Sequence, residues 1–438
     1  MSSPDLVITH SAQLKRLIQT GSRVCVGLSG GLDSVVLLDL LHRLQASYLF
    51  ELFAIHVNHQ LSPNAKLWAQ FCAELCAQKN IPLHIESVTV ERDSGLGVEA
   101  TARASRHAAF KRQNADVIAL AHHADDQAET LLLQLLRGAG VKGASAMPML
   151  SDSKPALVRP LLVVTRNELE AYAAQRGLKW ITDESNADIR YDRNYVRHAV
   201  LPQIEKRFPA YRATLGRAAQ HFAAASALLD ELAELDATNI LHDDKLVQAT
   251  FAQLSEARAK NLLRFFLAQH HVAMPQAARL DELVRQLQTG GHDAEVCAQL
   301  GGHEVRAWRG NIHVLTESLP AEDLRLVWSG EAELKLSSNL GALKFTATKE
   351  QGISAAKLKN QTVIVRTRSG GETLQPAANR PRRTLKNLLQ ESAVPPWQRE
   401  RLPLLFCGDS LVWVPEIGID INYQAVSGEL AYRVDWVR

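Results

Sequence analysis

The stretch RVCVGLSGGLDSVVLLDLLHRL, residues 23–44, decides the fold because a glycine-rich turn joins two different patterns in it. Residues 23–28 form a short apolar run that is typical of a buried strand, and residues 34–44 have the apolar spacing of a helix. The glycines of SGGLDS between them allow a tight turn that exposes backbone N–H groups. The stretch therefore predicts a strand, an anion-binding loop and a helix whose positive end points at that loop.

The same alternation continues through the first two hundred residues. Strand-like runs recur at residues 52–57, 83–90 and 117–121, and helical patterns at 65–79, 98–112 and 125–136. This repetition predicts an α/β fold, a parallel sheet with helices on both faces. Ligands of such sheets bind beyond the carboxyl ends of the strands, so the residues that follow each strand are candidates for a site.

Two further regions follow the predicted sheet. Helical patterns at residues 212–235, 254–269 and 276–287, with a short strand pair at 295–300 and 312–315, predict a mainly helical domain. Strand-like runs at 324–328, 342–347, 362–366 and 411–414 predict a small β-containing C-terminal domain. We therefore predict three domains, at residues 1–211, 212–318 and 319–438.

Composition narrows the class of protein. The net charge is +2, and no apolar run is long enough for a secretory signal or a membrane span, so we expect a cytoplasmic protein with no membrane partner. Five cysteines without a CxxC pair indicate neither a disulfide framework nor a zinc ribbon. Basic residues outnumber acidic ones between residues 365 and 402, where a solvated face and a phosphate-binding face are both open interpretations.

The loop SGGLDS suits the phosphates of a nucleotide. Gly30 and Gly31 let the backbone approach a ligand, and the hydroxyl groups of Ser29 and Ser34 add donors. Asp33 would repel phosphate unless a cation lay between them, so it predicts bound Mg²⁺. The loop has no lysine and is not a Walker A motif, and a GxGxxG string at residues 138–143 follows a helical pattern instead of a strand. A glycine turn with an aspartate near a helix start is the structural alternative.

Other polar groups follow the predicted strands. HVNH, residues 56–59, lies where a nucleotide base could bind, although asparagine is also typical of a turn that ends a strand. In AHHADDQAET, residues 121–130, His122 follows a strand while Asp126 and Glu129 share one helix face. A metal site of a phosphohydrolase is an alternative interpretation of HHxDD. Arg103 lies one helical turn after Glu99, where a surface salt bridge is the alternative.

The order of these motifs resembles a known family. SGGLDS after a first strand resembles the PP-loop of the N-type ATP pyrophosphatases, which cleave ATP between the α- and β-phosphates. With HVNH, EAxAR (99–103), AHHxDDQxET, RGxG (137–140), RPL (159–161) and WxxDxSNxDxxxxRNxxRH (180–198), the chain resembles the tRNA(Ile)-lysidine synthase family. RTRSGGETLQP, RRTLKNLLQ and PPWQRERLPLL are also similar to the terminal domain of that family.

The resemblance implies a reaction. ATP would adenylate the C2 oxygen of the wobble cytidine in the CAU anticodon of isoleucine tRNA. The ε-amine of free L-lysine would then displace AMP, forming lysidine and changing decoding from AUG to AUA. ATP and Mg²⁺ are the implied cofactors, the region 212–318 would bind substrate and the region 319–438 would bind tRNA. Whether the chain forms a homodimer is open.

Motif position assigns roles to individual residues. The implied catalytic residues are Asp33, Arg103, His122, Asp126 and Glu129, of which Asp126 and Glu129 would bind lysine and accept its proton. Arg103 would contact the base or phosphate being activated, and His122 would contact the adenylate. The basic helix that carries Arg193 and Arg197 would grip tRNA phosphates. The implied nucleotide site consists of Ser29, Gly30, Gly31, Leu32, Asp33, Ser34 and His56, with Asp33 as the metal ligand.

Three other functions compete with this interpretation. A PP-loop tRNA sulfur transferase shares the loop and the substrate class, but Cys72 and Cys76 have the spacing of a buried helix face instead of a ligand set. A metal-dependent phosphohydrolase would use HHxDD. A non-enzymatic RNA-binding protein would hold ATP only as a ligand, which the polar cluster at the sheet edge disfavours.

Overall fold

The computed structural model describes residues 16–60, 62–89, 98–151, 153–290, 296–316, 324–336, 340–359 and 361–437, the side chains of residues 98–100 and 185 excepted. The chain divides into two compact units, Met1–Leu232 and Ala233–Arg438. The three-domain division stays a prediction, and its border at 318/319 lies outside the described residues, as do Val90 and Glu295 of two predicted strands.

The first unit contains a parallel sheet of five strands. They are β1 Arg23–Gly27, β2 Glu51–Asn58, β3 Leu83–Ser87, β4 Val117–Ala119 and β5 Ala156–Val158. Their order is β3-β2-β1-β4-β5, and each neighbouring pair is parallel. This sheet confirms the predicted α/β fold. The sequence patterns did not predict β5, which is only three residues long.

The helices of the first unit connect and cover these strands. They are α1 Leu32–Tyr48, α2 Ala65–Gln78, α3 Val98–Lys111, α4 Ala124–Leu136, α5 Val141–Ala144, α6 Arg166–Arg176, α7 Asp192–Tyr195, α8 Leu201–Arg207 and α9 Tyr211–Ala237. A 3₁₀ turn spans Glu184–Ala187, and a π-helical turn at Val196–Val200 joins α7 to α8.

Alternation along β1 separates the two cores of the sheet. Val24 and Val26 pack in one core with apolar residues of α1, α2 and α6, whereas Cys25 packs in a second core with Phe110 of α3. Both faces are therefore covered, which explains why β1 is apolar at successive positions. As a consequence, α1 and α3 cover opposite faces of the sheet.

The second unit begins with a helical region and its own sheet. The elements are β6 Leu241–His242, β7 Lys245–Val247, α10 Gln248–Phe251, α11 Glu256–Gln269, α12 Ala277–Thr289, β8 Cys297–Leu300, β9 His303–Trp308 and β10 Asn311–Thr316, with strand order β6-β7-β10-β9-β8. The predicted pairing of residues 295–300 with 312–315 is wrong, because β9 lies between β8 and β10. Gly301 and Gly302, with φ of 51° and 81°, form the turn that lets β9 fold back on β8.

The rest of the second unit is mainly β structure, as predicted. Its elements are β11 Arg325–Trp328, β12 Glu333–Lys335, β13 Ala342–Thr348, β14 Ile353–Ser354, α13 Ala355–Leu358, β15 Val363–Arg366, β16 Thr373–Leu374, β17 Arg383–Thr384, α14 Leu385–Glu391, α15 Pro396–Arg399, β18 Leu404–Cys407, β19 Ser410–Val414, β20 Gly418–Ile419 and β21 Ala431–Val437. They form sheets β11-β15-β18-β19-β20, β12-β13-β21-β14 and β16-β17. Within the part of the chain that the structure describes, no helix is long and apolar enough to cross a membrane.

Candidate active site

The glycine loop lies between β1 and the start of α1, as predicted. The hydroxyl of Ser34 donates to the Gly31 carbonyl (2.9 Å) and accepts from the N–H of Gly30 (3.2 Å). The hydroxyl oxygens of Ser29 and Ser34 are 3.1 Å apart. These bonds hold the loop in a fixed shape at the positive end of α1, where backbone N–H groups favour an anion.

Gly30 is required by the shape of the loop. Its φ of +89° is one that L side chains rarely adopt, and an added Cβ would lie 2.9 Å from Cδ1 of Ile181 and 3.2 Å from Sγ of Cys72. The N–H of Ile181 also donates to the Gly30 carbonyl (2.9 Å). The motif that starts at Trp180 therefore packs directly against the loop, which its distance in sequence does not reveal.

Asp33 lies in the first turn of α1 and is paired with an arginine. Arg166, at the start of α6, donates from one guanidinium nitrogen to both carboxylate oxygens, at 2.9 and 3.0 Å. Burial raises the pKa of Asp33, while the charges of His123 and Arg166 act in the opposite direction. Arg166 was not predicted as a site residue, because it belongs to none of the motifs.

Asp126 and Glu129 share two arginines. Glu129, whose side chain is 1% exposed, accepts from Nε of Arg193 (2.9 Å) and from Nε and Nη2 of Arg197 (2.6 and 2.8 Å). Asp126 accepts from the same two guanidinium groups at 2.9 and 3.2 Å. Burial acts to raise the pKa of Asp126, but His123 and Arg193 lower it overall. The two carboxylates therefore lie on one helix face, as the spacing predicted.

The positions of Arg193 and Arg197 differ from the expectation that they grip tRNA phosphates. In the structure both guanidinium groups contact carboxylates of α4, and their side chains are only 26% and 32% exposed. Arg197 lies in the π-helical turn between α7 and α8. Turns of this kind are frequent at functional sites because they change which way a side chain points. The pairing arises because buried carboxylates need a counter-charge.

Two histidines follow β4, and they have different surroundings. His123 lies 3.4 Å from Asp126 and 3.8 Å from Asp33, so it links the acid pair to the glycine loop. Burial acts to lower the pKa of His123, but the Asp125 carboxylate, 3.5 Å from Nδ1, and the other nearby carboxylates raise it overall. His122, the predicted site residue, is half-buried, and the loss of hydration lowers its pKa to about 3. The motif therefore contained a second site histidine, which was not selected from the sequence.

The HVNH motif combines a predicted site residue, His56, with a structural one, Asn58. Nδ1 of His56 lies 2.9 Å from the Leu28 carbonyl, which can only accept, so Nδ1 carries the proton in the neutral ring. Burial lowers the pKa of His56, which favours this neutral form. Asn58 accepts from the N–H of Gln60 (2.9 Å) and forms the turn that ends β2. His56 is therefore fixed beside the start of the glycine loop.

Arg103 projects from α3 and is exposed. It has no carboxylate partner among the side chains that the structure describes, and the side chain of Glu99 lies outside them. Its charge contributes to the low pKa of His122. Among the described side chains, Arg103 therefore acts on His122 only through its charge, and no contact joins Arg103 to the glycine loop.

The site offers Mg²⁺ a limited set of ligands. No group of three or more His, Cys, Asp or Glu residues suited to a metal ion occurs within the described ranges. Asp33 can supply one carboxylate oxygen next to the loop hydroxyl groups. Mg²⁺ commonly uses one or two carboxylates together with the phosphates of its nucleotide. The residues present therefore fit a nucleotide-bound Mg²⁺ but not a site that holds the ion without a nucleotide.

The basic segment at residues 365–402 is partly neutralised in the structure. Arg366 and Arg368 lie 3.7 and 3.5 Å from Glu372, whereas Arg382 pairs with Asp420. A further pair joins Arg383 and Glu391. The local excess of positive charge is therefore smaller at the surface than the sequence suggested.

The fold and the glycine loop define the class of protein. A parallel sheet with SGGLDS between β1 and α1 is a PP-loop ATPase domain, and the family model described as "PP-loop domain" matches residues 7–204. The models "TilS substrate binding domain" and "TilS substrate C-terminal domain" match residues 246–313 and 363–436.

Curated relatives identify the family. The tRNA(Ile)-lysidine synthase of Nitrosomonas europaea is 46% identical over 100% of this chain and 96% of its own length. That of Coxiella burnetii is 38% identical over 95% of this chain and 94% of its own, and that of an Azoarcus species is 41% identical over 96% and 93%. The chain belongs to the tRNA(Ile)-lysidine synthase family.

Proposed function

We propose that this enzyme ligates free L-lysine to C2 of the wobble cytidine in the CAU anticodon of isoleucine tRNA, through an adenylated intermediate, with release of pyrophosphate and AMP. The family and its PP-loop domain establish the use of ATP. One observation supports the proposal most: the glycine loop and the acid pair of α4 meet at one edge of the sheet, with His123 3.8 Å from Asp33 and 3.4 Å from Asp126.

The first step requires a loop that holds phosphates. The cytidine O2 forms a bond to the α-phosphorus of ATP, and the bond to pyrophosphate breaks. Backbone N–H groups of the loop and the hydroxyl groups of Ser29 and Ser34 bind the phosphates. We assign Mg²⁺ to Asp33, where the ion would offset charge on the departing pyrophosphate. Asp33 would then exchange the Arg166 guanidinium for the ion, at least in part.

The second step requires an amine without its extra proton. Lysine enters as an ammonium, loses a proton, and its ε-nitrogen bonds to C2 while AMP leaves with the oxygen. Asp126 and Glu129 are our candidates for binding the ammonium and accepting the proton. Both carboxylates are already paired with Arg193 and Arg197, so lysine has to displace at least one guanidinium group. A developing phosphate charge nearby would attract the displaced arginine.

The same proposal assigns tRNA binding to the C-terminal region, 319–438, and substrate binding to 212–318. Among the basic residues of the C-terminal region, Arg380 and Lys386 have no carboxylate partner within the described part of the chain. They are suited to phosphate contacts whose strength falls with salt. Truncation before residue 319 should weaken tRNA binding, and tight binding after truncation would contradict this assignment.

A labelling experiment tests the reaction. The protein is incubated with Mg-ATP, labelled lysine and an unmodified isoleucine tRNA transcript carrying CAU, and RNase-sensitive label is counted. A methionine tRNA with the same anticodon is the matched control. Label in the isoleucine transcript alone is the expected result.

Two other results would redirect the proposal. RNA-dependent release of pyrophosphate without lysine incorporation would keep adenylation but reject lysine as the nucleophile. Nucleotide hydrolysis that needs no RNA would favour the phosphohydrolase. A sulfur transferase is disfavoured because Cys72 and Cys76 are buried in α2, where burial raises their pKa to about 12 and about 11.

A further inference from the structure

Arg159, which follows β5, is a buried arginine. The residue is 6% exposed and has no carboxylate partner within the described ranges. Its Nη1 donates to the Pro148 carbonyl (2.7 Å), and its buried Nε has no hydrogen-bond partner. Buried charges in proteins are ordinarily paired with an opposite charge or a bound ion. This arginine therefore indicates a negatively charged ligand.

The side of the sheet to which Arg159 belongs follows from strand alternation. Leu157 packs with the core beneath α3, and Val158 packs with the core beneath α1. Arg159 is the first residue after β5, and continuing this alternation by one residue puts it with Leu157 on the α3 side, where its charge also acts on His107 of α3. The glycine loop opens α1, on the opposite face. Arg159 is therefore directed away from the N–H groups that would bind the nucleotide phosphates.

Two other elements place positive or unpartnered groups near Arg159. Arg103 of α3 and Arg159 both act on His107 and His122, whose pKa values are lowered mainly by burial and further by these charges. The buried Nδ1 of His122 also has no hydrogen-bond partner. Positive charges from α3 and from the end of β5 thus act on the same two histidines, one on α3 and one at the end of β4.

We propose that Arg159 and Arg103 form a phosphate-binding subsite on the α3 face that holds a backbone phosphodiester of the RNA next to the reacting cytidine. Arg159 would fix one phosphate oxygen from its buried position, and the exposed Arg103 would close over another. The subsite rests on the proposed function, because it assumes an RNA substrate. It adds a second, sequence-independent contact that would position the nucleotide between the glycine loop and α4.

The test uses the full-length protein and an RNA stem-loop with the CAU anticodon, without ATP or lysine. Arg159→Met should weaken binding roughly 10- to 100-fold, as expected for a lost charge-assisted hydrogen bond. The slope of log affinity against log salt should become shallower by about 0.7, the value for one single-strand phosphate. ATP binding should not change. The melting temperature should stay the same or rise, because an uncompensated buried charge is removed.

A second test variant and two control variants accompany this measurement. Arg103→Met, at an exposed position, should weaken stem-loop binding even if Arg159→Met does not fold. Lys111→Met removes one charge from the same helix and should change stem-loop affinity less than about twofold. Glu99→Gln should leave the melting temperature unchanged. A loss of stability in both the Glu99 and the Arg159 variants would make Glu99 the counter-charge of Arg159 and overturn the subsite.

The outcomes separate this subsite from the reaction itself. Unchanged stem-loop affinity in both arginine variants, with lysine incorporation intact, would reject the subsite and leave the proposed function in place. Weaker binding of ATP or pyrophosphate instead of RNA would assign the phosphate to the nucleotide and also reject it. If the wild-type protein did not bind the stem-loop, the result would instead contradict the proposed function.

Discussion

Replacement of Glu129 by glutamine should destabilise the first unit. The carboxylate accepts three hydrogen bonds from Arg193 and Arg197, and the amide group of glutamine can replace only one of its two oxygens. The amide oxygen can keep two of the three bonds by taking the place of Oε2, and the new NH₂ group then faces the guanidinium that bonded to Oε1. One charge-assisted hydrogen bond, worth about 1.5–3 kcal/mol, is lost, and the other two lose the acceptor's charge and about half their strength, so the total loss is about 3–6 kcal/mol. Because the arginines are 26% and 32% exposed and can regain water, we expect the lower end, about 3 kcal/mol.

Thermal denaturation of the full chain measures this loss. For a unit of this size, about 3 kcal/mol corresponds to a fall of roughly 6–12 °C in melting temperature. Glu51→Gln is the matched control, because Glu51 pairs with Arg23 at the surface, with exposures of 58% and 38%. That change should cost less than about 1 kcal/mol. An equal, small effect of both substitutions would refute the reasoning that the Glu129 pairing stabilises the folded protein.

A double variant tests whether the loss comes from the arginine. Adding Arg197→Met to Glu129→Gln removes the cation that the first change leaves without its partner. The double variant should therefore be more stable than the sum of the two single effects by about 1 kcal/mol or more. Strict additivity would mean that Arg197 and Glu129 do not stabilise each other.

The remaining predictions concern the loop, the acid pair and the histidine. Gly30→Ala should lower the free energy of unfolding by more than about 1 kcal/mol, because Gly30 has a φ of +89° and close neighbours. Gly216→Ala within α9 is the control and should raise the free energy of unfolding by about 0.5–1 kcal/mol. Urea denaturation measures both changes. Asp33→Ala should abolish RNA-dependent pyrophosphate release while circular dichroism stays unchanged, and full activity would remove Asp33 from the nucleotide site. Asp126→Asn should raise the lysine KM or lower turnover by tenfold or more, and unchanged kinetics would reject its role. The folded pKa of His122 is about 3, whereas its ordinary value is 6.5, so the unfolded chain binds a proton at this residue between these pH values and the folded protein does not. The contribution of the neutral ring to stability is therefore complete above pH 6.5 and is lost as pH falls toward 3, by at most about 1.4 kcal/mol per pH unit. The urea midpoint of His122→Asn should depend less on pH over this range.

Local pattern was sufficient for the elements that carry the site. The run at residues 23–28, the glycines and the helical spacing after Ser34 predicted β1, the loop and α1, and the structure has all three. The three-residue spacing of Asp126 and Glu129 predicted one shared face, which their common arginine partners confirm. These predictions succeed because the interactions involved lie within a few residues of each other.

Pairing between distant segments could not be predicted in this way. Arg166 reaches Asp33 across 133 positions, and Arg197 reaches Glu129 across 68. Neither contact can be predicted from local periodicity, because an arginine on a helix is equally typical of an exposed face. The same reason explains the strand pairing that was wrong: β8 and β10 were both recognised, but β9 between them was not, so they were paired with each other.

The balance of charge at the sheet edge constrains how substrates can enter. Asp33 is paired with Arg166 and Asp125 with Arg212, while the acid pair on α4 holds Arg193 and Arg197. Under the proposed function, a lysine ammonium would meet carboxylates that are already neutralised, and a phosphate would meet arginines that already have carboxylate partners. Each binding event alone leaves a displaced partner without its counter-charge in a partly buried site, which is costly. With both present, the displaced arginine would pair with phosphate while the carboxylate pairs with lysine, so the proposed function implies that each substrate favours the binding of the other.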